Sequence, residues 1–258
     1  MADAVVNGVR LHVQRIGAGP PTVVFLHGLV MDNLSSFYFT LASPVSRVAE
    51  ALLYDLRGHG RSERPTSGYA LADFTRDLDA LLATLDVRAP VHLVGNSFGG
   101  LLALAYASIR PERVASLFLI DAHLGAAGWG DAMVQTLALQ GEARDRRIAE
   151  SFQHWLGRHS ERKRSRLADN ARALVEGTSL LADLAASPPL SDESFRRIAC
   201  PTLALYGERS DLRPQAEDLP QRLAQARLLV RPGSTHSLLW EETDYVRDEL
   251  LRWLRERA

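Results

Sequence analysis

"VHLVGNSFGGLLALAYASIR", residues 91–110, is the stretch whose reading decides the fold. It opens on a short run of β-formers, Val91 to Gly95, and closes on helix-formers that stop before Pro111. Between them lie Gly95, Ser97, Gly99 and Gly100. A strand that turns at once into a helix leaves room only for small neighbours, and the side chain at its apex points away from the sheet. That apex is also a helix N-terminus, where free N–H groups and the helix dipole favour negative charge. Ser97 therefore reads as a presented nucleophile. The plain alternative is a glycine-rich turn with an incidental serine, and the rest of the chain decides between them.

On either side the pattern repeats. Residues 4–16 alternate around Asn7-Gly8, which predicts a hairpin. Apolar runs at 22–28, 51–58, 91–95, 116–121, 202–207 and 226–233 predict buried strands. Helical spacing over 71–85 and 99–110, with an amphipathic stretch at 243–256, fills the gaps. Strands alternating with helices imply an α/β architecture with a mostly parallel sheet covered on both faces. Residues 123–195 break the rhythm: they are helix-rich, carry charge clusters and show no convincing strand. They are expected to form a helical cap over the C-terminal edge of the sheet, on a core built from 1–122 and 196–258.

Bulk properties narrow the function. A chain of 258 residues suits one large domain with an insertion. A hydrophobic share of 46% and a net charge of −1 give no field that would draw in nucleic acid or a membrane surface. The basic residues are arginines apart from Lys163, and a single cysteine, Cys200, fits a reducing compartment. The N-terminal stretch does not read as a signal peptide, and no apolar run reaches membrane-spanning length. A soluble cytoplasmic protein is expected.

A serine hydroxyl is a weak nucleophile and needs an oriented imidazole. Of eight histidines, His236 stands out, in a "PGSTHS" loop after a predicted strand and ahead of the last helix. The orienting acid is expected in a loop after a strand. "TLALYGERSDLRP" offers Asp211, with Glu208 a near rival and Asp121, at the end of "SLFLID", a remote one. A tetrahedral intermediate needs backbone donors. Phe98, after the nucleophile, supplies one N–H, and Leu29, after His27-Gly28, the other. His27 is expected to shape that loop without moving protons.

These residues together resemble the α/β-hydrolase superfamily, over essentially the whole chain. "FLHGL" is similar to its oxyanion loop. "YDLRGHGRSERP" (54–65) is similar to its turn after an early strand, with Asp55, Arg57, Gly58, Gly60 and Ser62 in pattern. "GNSFGG", "CPTLALYGERSD" and "GSTHSLLWEE" resemble the nucleophile elbow, acid loop and histidine loop, in the order Ser97, Asp211, His236. The resemblance implies an eight-stranded sheet with the cap after the sixth strand, and Ser-His-Asp chemistry with no metal and no organic cofactor. A serine at the elbow argues against the aspartate-nucleophile branches. "GNS" is similar to the elbow of carbon–carbon bond hydrolases of ring-cleavage products, although Ser237 follows His236 where those enzymes commonly carry tryptophan.

The expected activity is hydrolysis of a small-molecule ester or thioester. The alternatives are carbon–carbon cleavage of a vinylogous diketone and a non-hydrolytic or ligand-binding member of the fold. His123, Leu124, Trp129, Met133, Phe152 and Trp155 are candidate pocket residues. The basic run 144–166 reads either as a solvated helix face or as a docking face for an acyl carrier protein or coenzyme A thioester.

Overall fold

The computed structural model describes residues 2–139 and 161–257. Eight strands form one sheet: β1 (Ala2–Val6), β2 (Val9–Ile16), β3 (Thr22–Leu26), β4 (Glu50–Tyr54), β5 (Val91–Asn96), β6 (Val114–Ile120), β7 (Thr202–Gly207) and β8 (Ala226–Arg231). Their order is β1-β2-β4-β3-β5-β6-β7-β8. β2 runs antiparallel to both β1 and β4, and every later pairing is parallel. Asn7 and Gly8 both take positive φ, 50° and 76°, as a two-residue hairpin between right-twisted strands requires.

The sheet is buried on both faces, and the pleat divides its side chains between two cores. Val24, Leu26, Leu52, Tyr54, Leu93, Leu117, Leu119, Ala204 and Tyr206 enter one. Their neighbours Val23, Phe25, Ala51, Leu53, Val94, Phe118, Ile120, Leu203 and Leu205 enter the other. This explains why the strands read as continuous apolar runs. The first core is closed by α1 (Leu71–Thr84) and α2 (Phe98–Ile109), the second by the C-terminal helix Thr243–Arg255 and by residues 37–45. The helical segment at Ser35–Val45 was not anticipated, because its apolar spacing is interrupted by Thr40, Ser43 and Pro44.

Between β6 and β7 the described elements are helices: α3 (Trp129–Leu137), α4 (Glu161–Gly177), α5 (Leu180–Ala186) and α6 (Asp192–Arg197). The segment is tied to the sheet's upper loops. The Asp183 carboxylate accepts from the N–H groups of Gly68 (3.2 Å) and Tyr69 (2.7 Å), and Ser187 Oγ accepts from Leu71 N–H at 3.2 Å. Leu174, Leu180 and Leu184 are buried in the first core. Phe152, Trp155 and most of the basic run lie outside the described residues.

The elbow depends on absent side chains. A Cβ on Gly99 would collide with the backbone carbonyl of Leu26, and one on Gly95 with the carbonyl of Gly99. α2 can sit against the end of β3 only because residue 99 is glycine. Gly99→Ala should therefore cost about 2 kcal/mol or more of unfolding free energy. Gly177→Ala, where nothing lies within 4 Å of an added Cβ, should cost far less. Urea denaturation of the two variants checks this contrast.

Candidate active site

Ser97 stands between β5 and α2 with φ 54° and ψ −117°. A non-glycine residue held there is strained and must be fixed by its surroundings. Its N–H donates to the Ile120 carbonyl at 3.0 Å, and its own carbonyl accepts from the N–H groups of Gly100 (3.0 Å) and His123 (3.2 Å). The elbow is thereby sewn to the end of β6.

His236 lies in the loop between β8 and Leu238. Its Nε2 is 3.1 Å from Ser97 Oγ, and its Nδ1 is 2.9 Å from Asp121 Oδ1. Asp121 is fully buried, directly after β6, and itself has positive φ, 42°. Its Oδ2 accepts from Gly207 N–H at 2.8 Å and its Oδ1 from Ser210 Oγ at 2.5 Å. A carboxylate faces Nδ1 while the serine hydroxyl faces Nε2, which fixes the tautomer with the proton on Nδ1 and leaves Nε2 free to take one.

The acid at Nδ1 is thus Asp121, ranked as remote in the sequence, and the assignment to Asp211 is corrected accordingly. Asp211 is exposed, in the loop after β7, with its charge acting on His123. The physical reason is the adjacency of β6 and β7. Their ends meet beneath His236, so a residue directly after β6 reaches the imidazole without any loop. From β7 it is Ser210, one position before Asp211, that turns inward to Asp121.

Phe98 directly follows Ser97 at the start of α2, and Leu29 lies in the loop after β3. The N–H groups of the loop after β3 are largely committed: Gly28 to Asp32 Oδ2 (2.8 Å), Val30 to His59 Nε2 (2.7 Å) and Met31 to the Leu29 carbonyl (2.9 Å). Among the described residues no acceptor meets the N–H of Leu29 or of Phe98. A Cβ on Gly28 would lie 3.6 Å from Ser97 Cβ, so the loop passes directly over the nucleophile.

The loop is shaped from below. His27 Nε2 accepts from Leu56 N–H at 2.9 Å while Nδ1 donates to the Gly28 carbonyl at 2.7 Å, so both ring nitrogens serve the backbone. His59 bridges Val30 N–H to the Arg57 carbonyl, and burial next to His27 pushes its pKa down to about 3. The Asp55 carboxylate holds the N–H groups of Leu34 and Arg61, both at 2.8 Å. Arg57 makes a buried two-pronged pair with Asp77, both contacts 2.6 Å. Asp55 and His59 thus brace backbone around the loop, while Arg57 is tied to Asp77.

Of the candidate pocket residues, His123 packs against His236. Its ring lies 6.2 Å from that of His236, edge to face, and burial beside that second imidazole pushes its pKa down to about 3, against the pull of Asp211. Leu124 is fully buried. The Trp129 ring packs 6.4 Å from Phe98, and Met133 lies partly buried on the same core. Among the described residues no cluster of metal-binding side chains occurs, and no helix is long and apolar enough to cross a membrane.

Both His59 and His123 must gain a proton when the chain unfolds in mild acid. Their folded pKa values lie below the usual histidine value, so the unfolded state binds more protons between about pH 6.5 and 3 and stability falls as pH drops through that window. His123→Phe should flatten this fall, read as the difference in unfolding free energy between pH 7 and pH 4.5.

The family model for the alpha/beta hydrolase fold matches residues 21–197. The serine hydrolase BPHL of Mus musculus is 28% identical, covering 92% of this chain and 80% of its own. A non-heme chloroperoxidase of Streptomyces lividans is 25% identical, covering 90% and 91%. Among solved structures, an enol-lactonase from Burkholderia xenovorans superposes with TM-score 0.79 at 24% identity, covering 98% of this chain and 100% of that one. A meta-cleavage product hydrolase from Pseudomonas fluorescens superposes with TM-score 0.82 at 21% identity, covering 100% and 98%. These two likenesses concern the fold. The sheet order, the strained elbow and the family match over residues 21–197 lead to one conclusion: the chain belongs to the α/β-hydrolase superfamily.

Proposed function

We propose that this α/β hydrolase is a serine hydrolase that cleaves a small-molecule ester or thioester through an acyl-enzyme. The observation that carries the reading is the continuous line Ser97 Oγ, His236 Nε2, His236 Nδ1, Asp121 Oδ1, with contacts of 3.1 Å and 2.9 Å. Ser97 Oγ attacks the acyl carbon and gives its proton to His236 Nε2. The N–H groups of Leu29 and Phe98 hold the oxygen that becomes negative. The imidazolium, stabilised by Asp121, delivers the proton to the departing alcohol or thiol. A water molecule deprotonated by His236 then attacks the acyl-enzyme and frees Ser97.

The line needs no metal or organic cofactor for any of these steps. The partly buried Met133, on the core beside Trp129, is the described residue best suited to meet an acyl group, with the helical segment after β6 serving as the cap. The run 144–166, rich in arginine, is a docking face only if the leaving group is carried by an anionic partner such as an acyl carrier protein or coenzyme A. Initial rates on matched oxygen esters and pantetheine thioesters separate the two. A Ser97-dependent preference for thioesters supports such a carrier, and turnover of a dienol ring-cleavage product alone would replace acyl transfer by carbon–carbon hydrolysis.

Ser97→Ala and His236→Ala should each lower turnover by roughly 10⁴-fold or more. Asp121→Asn should cost on the order of 10³–10⁴-fold, and Asp211→Asn less than about tenfold. Near-wild-type turnover in Ser97→Ala would reject acyl-enzyme chemistry, and the reverse order of the two aspartate variants would return the acid role to Asp211.

A further inference from the structure

We infer that Ser210 is a positioning residue for this chemistry: its hydroxyl fixes the Asp121 carboxylate and sets the basicity of His236. The inference rests on the Ser97–His236–Asp121 reading above. In the loop after β7, Glu208, Arg209 and Asp211 are exposed while Ser210 is buried. A small polar residue turned inward from an otherwise solvated loop needs a polar reason, because burying an unpaired hydroxyl is unfavourable.

The reason is Asp121. Ser210 Oγ lies 2.5 Å from Asp121 Oδ1, the same oxygen that accepts from His236 Nδ1. Ser210 Oγ in turn accepts from Leu212 N–H at 3.1 Å. A carboxylate can only accept, so the hydroxyl proton points at Asp121 and the amide of Leu212 fills the far side of the oxygen. Among the described residues the fully buried carboxylate has three donors: Gly207 N–H on Oδ2, and Ser210 O–H and His236 Nδ1–H on Oδ1. One of the three belongs to the backbone and one to the imidazole itself. Ser210 is the remaining side chain that fixes the carboxylate's rotation.

The shared oxygen gives the contact a chemical consequence. The hydroxyl draws off part of the negative charge on Oδ1, which weakens that oxygen's hold on the imidazole proton. Without it Oδ1 keeps His236 as its one donor while Gly207 N–H still holds Oδ2, the imidazolium is favoured, and Nε2 is protonated at a higher pH. The other groups around His236 stay in place in a Ser210 variant: Ser97 on the elbow, His123 after β6, Asp211 acting on His123, Glu208 accepting from Gly233 N–H, and Glu241 holding Thr235.

A fluorophosphonate probe reads Ser97 reactivity without knowledge of the substrate. Labelling rates of the full chain are measured from pH 5 to 10 for wild type, Ser210→Ala and Ser210→Thr, with the folded fraction followed by circular dichroism. Ser210→Ala should label about tenfold more slowly at pH 7, with its acidic limb moved up by roughly half to one pH unit. Ser210→Thr, which keeps the hydroxyl, should restore both. An unmoved limb in Ser210→Ala, or a rate that falls only with the folded fraction, overturns the role of Ser210. If Ser210→Ala does not fold, Ser210→Cys, with its weaker donor, should show an intermediate limb, and an unmoved limb there overturns the role equally. Absence of labelling in wild type would reject the serine-hydrolase reading itself, and this role with it.

Discussion

The backbone hydrogen bond from Ser97 N–H to the Ile120 carbonyl, 3.0 Å long, joins the turn after β5 to the end of β6, and the site is assembled around it. It holds a residue whose φ of 54° would otherwise relax, and it brings the nucleophile alongside Asp121, the next residue after Ile120. The same lacing continues one strand further, where Asp121 N–H donates to the Leu205 carbonyl at 2.8 Å. Three parallel strands thus bring Ser97, Asp121 and Ser210 to one place. The loop that carries His236 packs on the end of β7, where its Ser234 and Thr235 carbonyls leave no room for a side chain at Gly207.

Backbone strain gathers at the strand ends around Ser97. The non-glycine residues with positive φ include Val30, Ser97 and Asp121, at 67°, 54° and 42°. Each marks where a strand end turns into the site. The stability that holds them comes from the two cores on either side of the sheet and from the buried Arg57–Asp77 pair, so the strain is supported by regions that take no part in the chemistry.

The sequence carried much of this openly and some of it not at all. Ser97 and His236 were legible because each sits in a short loop with its own signature, and the strands because a sheet buried on both faces demands unbroken apolar runs. The acid was harder. Asp121 and Asp211 both follow a buried strand, and which one turns inward depends on the pleat at the end of β6 and on a φ of 42°, neither of which is local in sequence. A signal was present: Asp121 follows "SLFLI" with no intervening loop, and a serine precedes Asp211 where an inward-facing group is needed. The helical turns at Ser35–Val45 were hidden because tertiary packing of Phe37, Leu41 and Val45 overrides their weak periodicity.

The central claim is that the Asp121 carboxylate, and not that of Asp211, holds the Nδ1 proton of His236. Proton NMR observes such a hydrogen directly, far downfield of the amide envelope, when it is shared between imidazole and a buried carboxylate. Spectra of wild type, Asp121→Asn and Asp211→Asn at one temperature and pH decide the matter. The account predicts a downfield resonance in wild type that survives in Asp211→Asn and vanishes in Asp121→Asn. A resonance that vanishes with Asp211 and persists without Asp121 would contradict it.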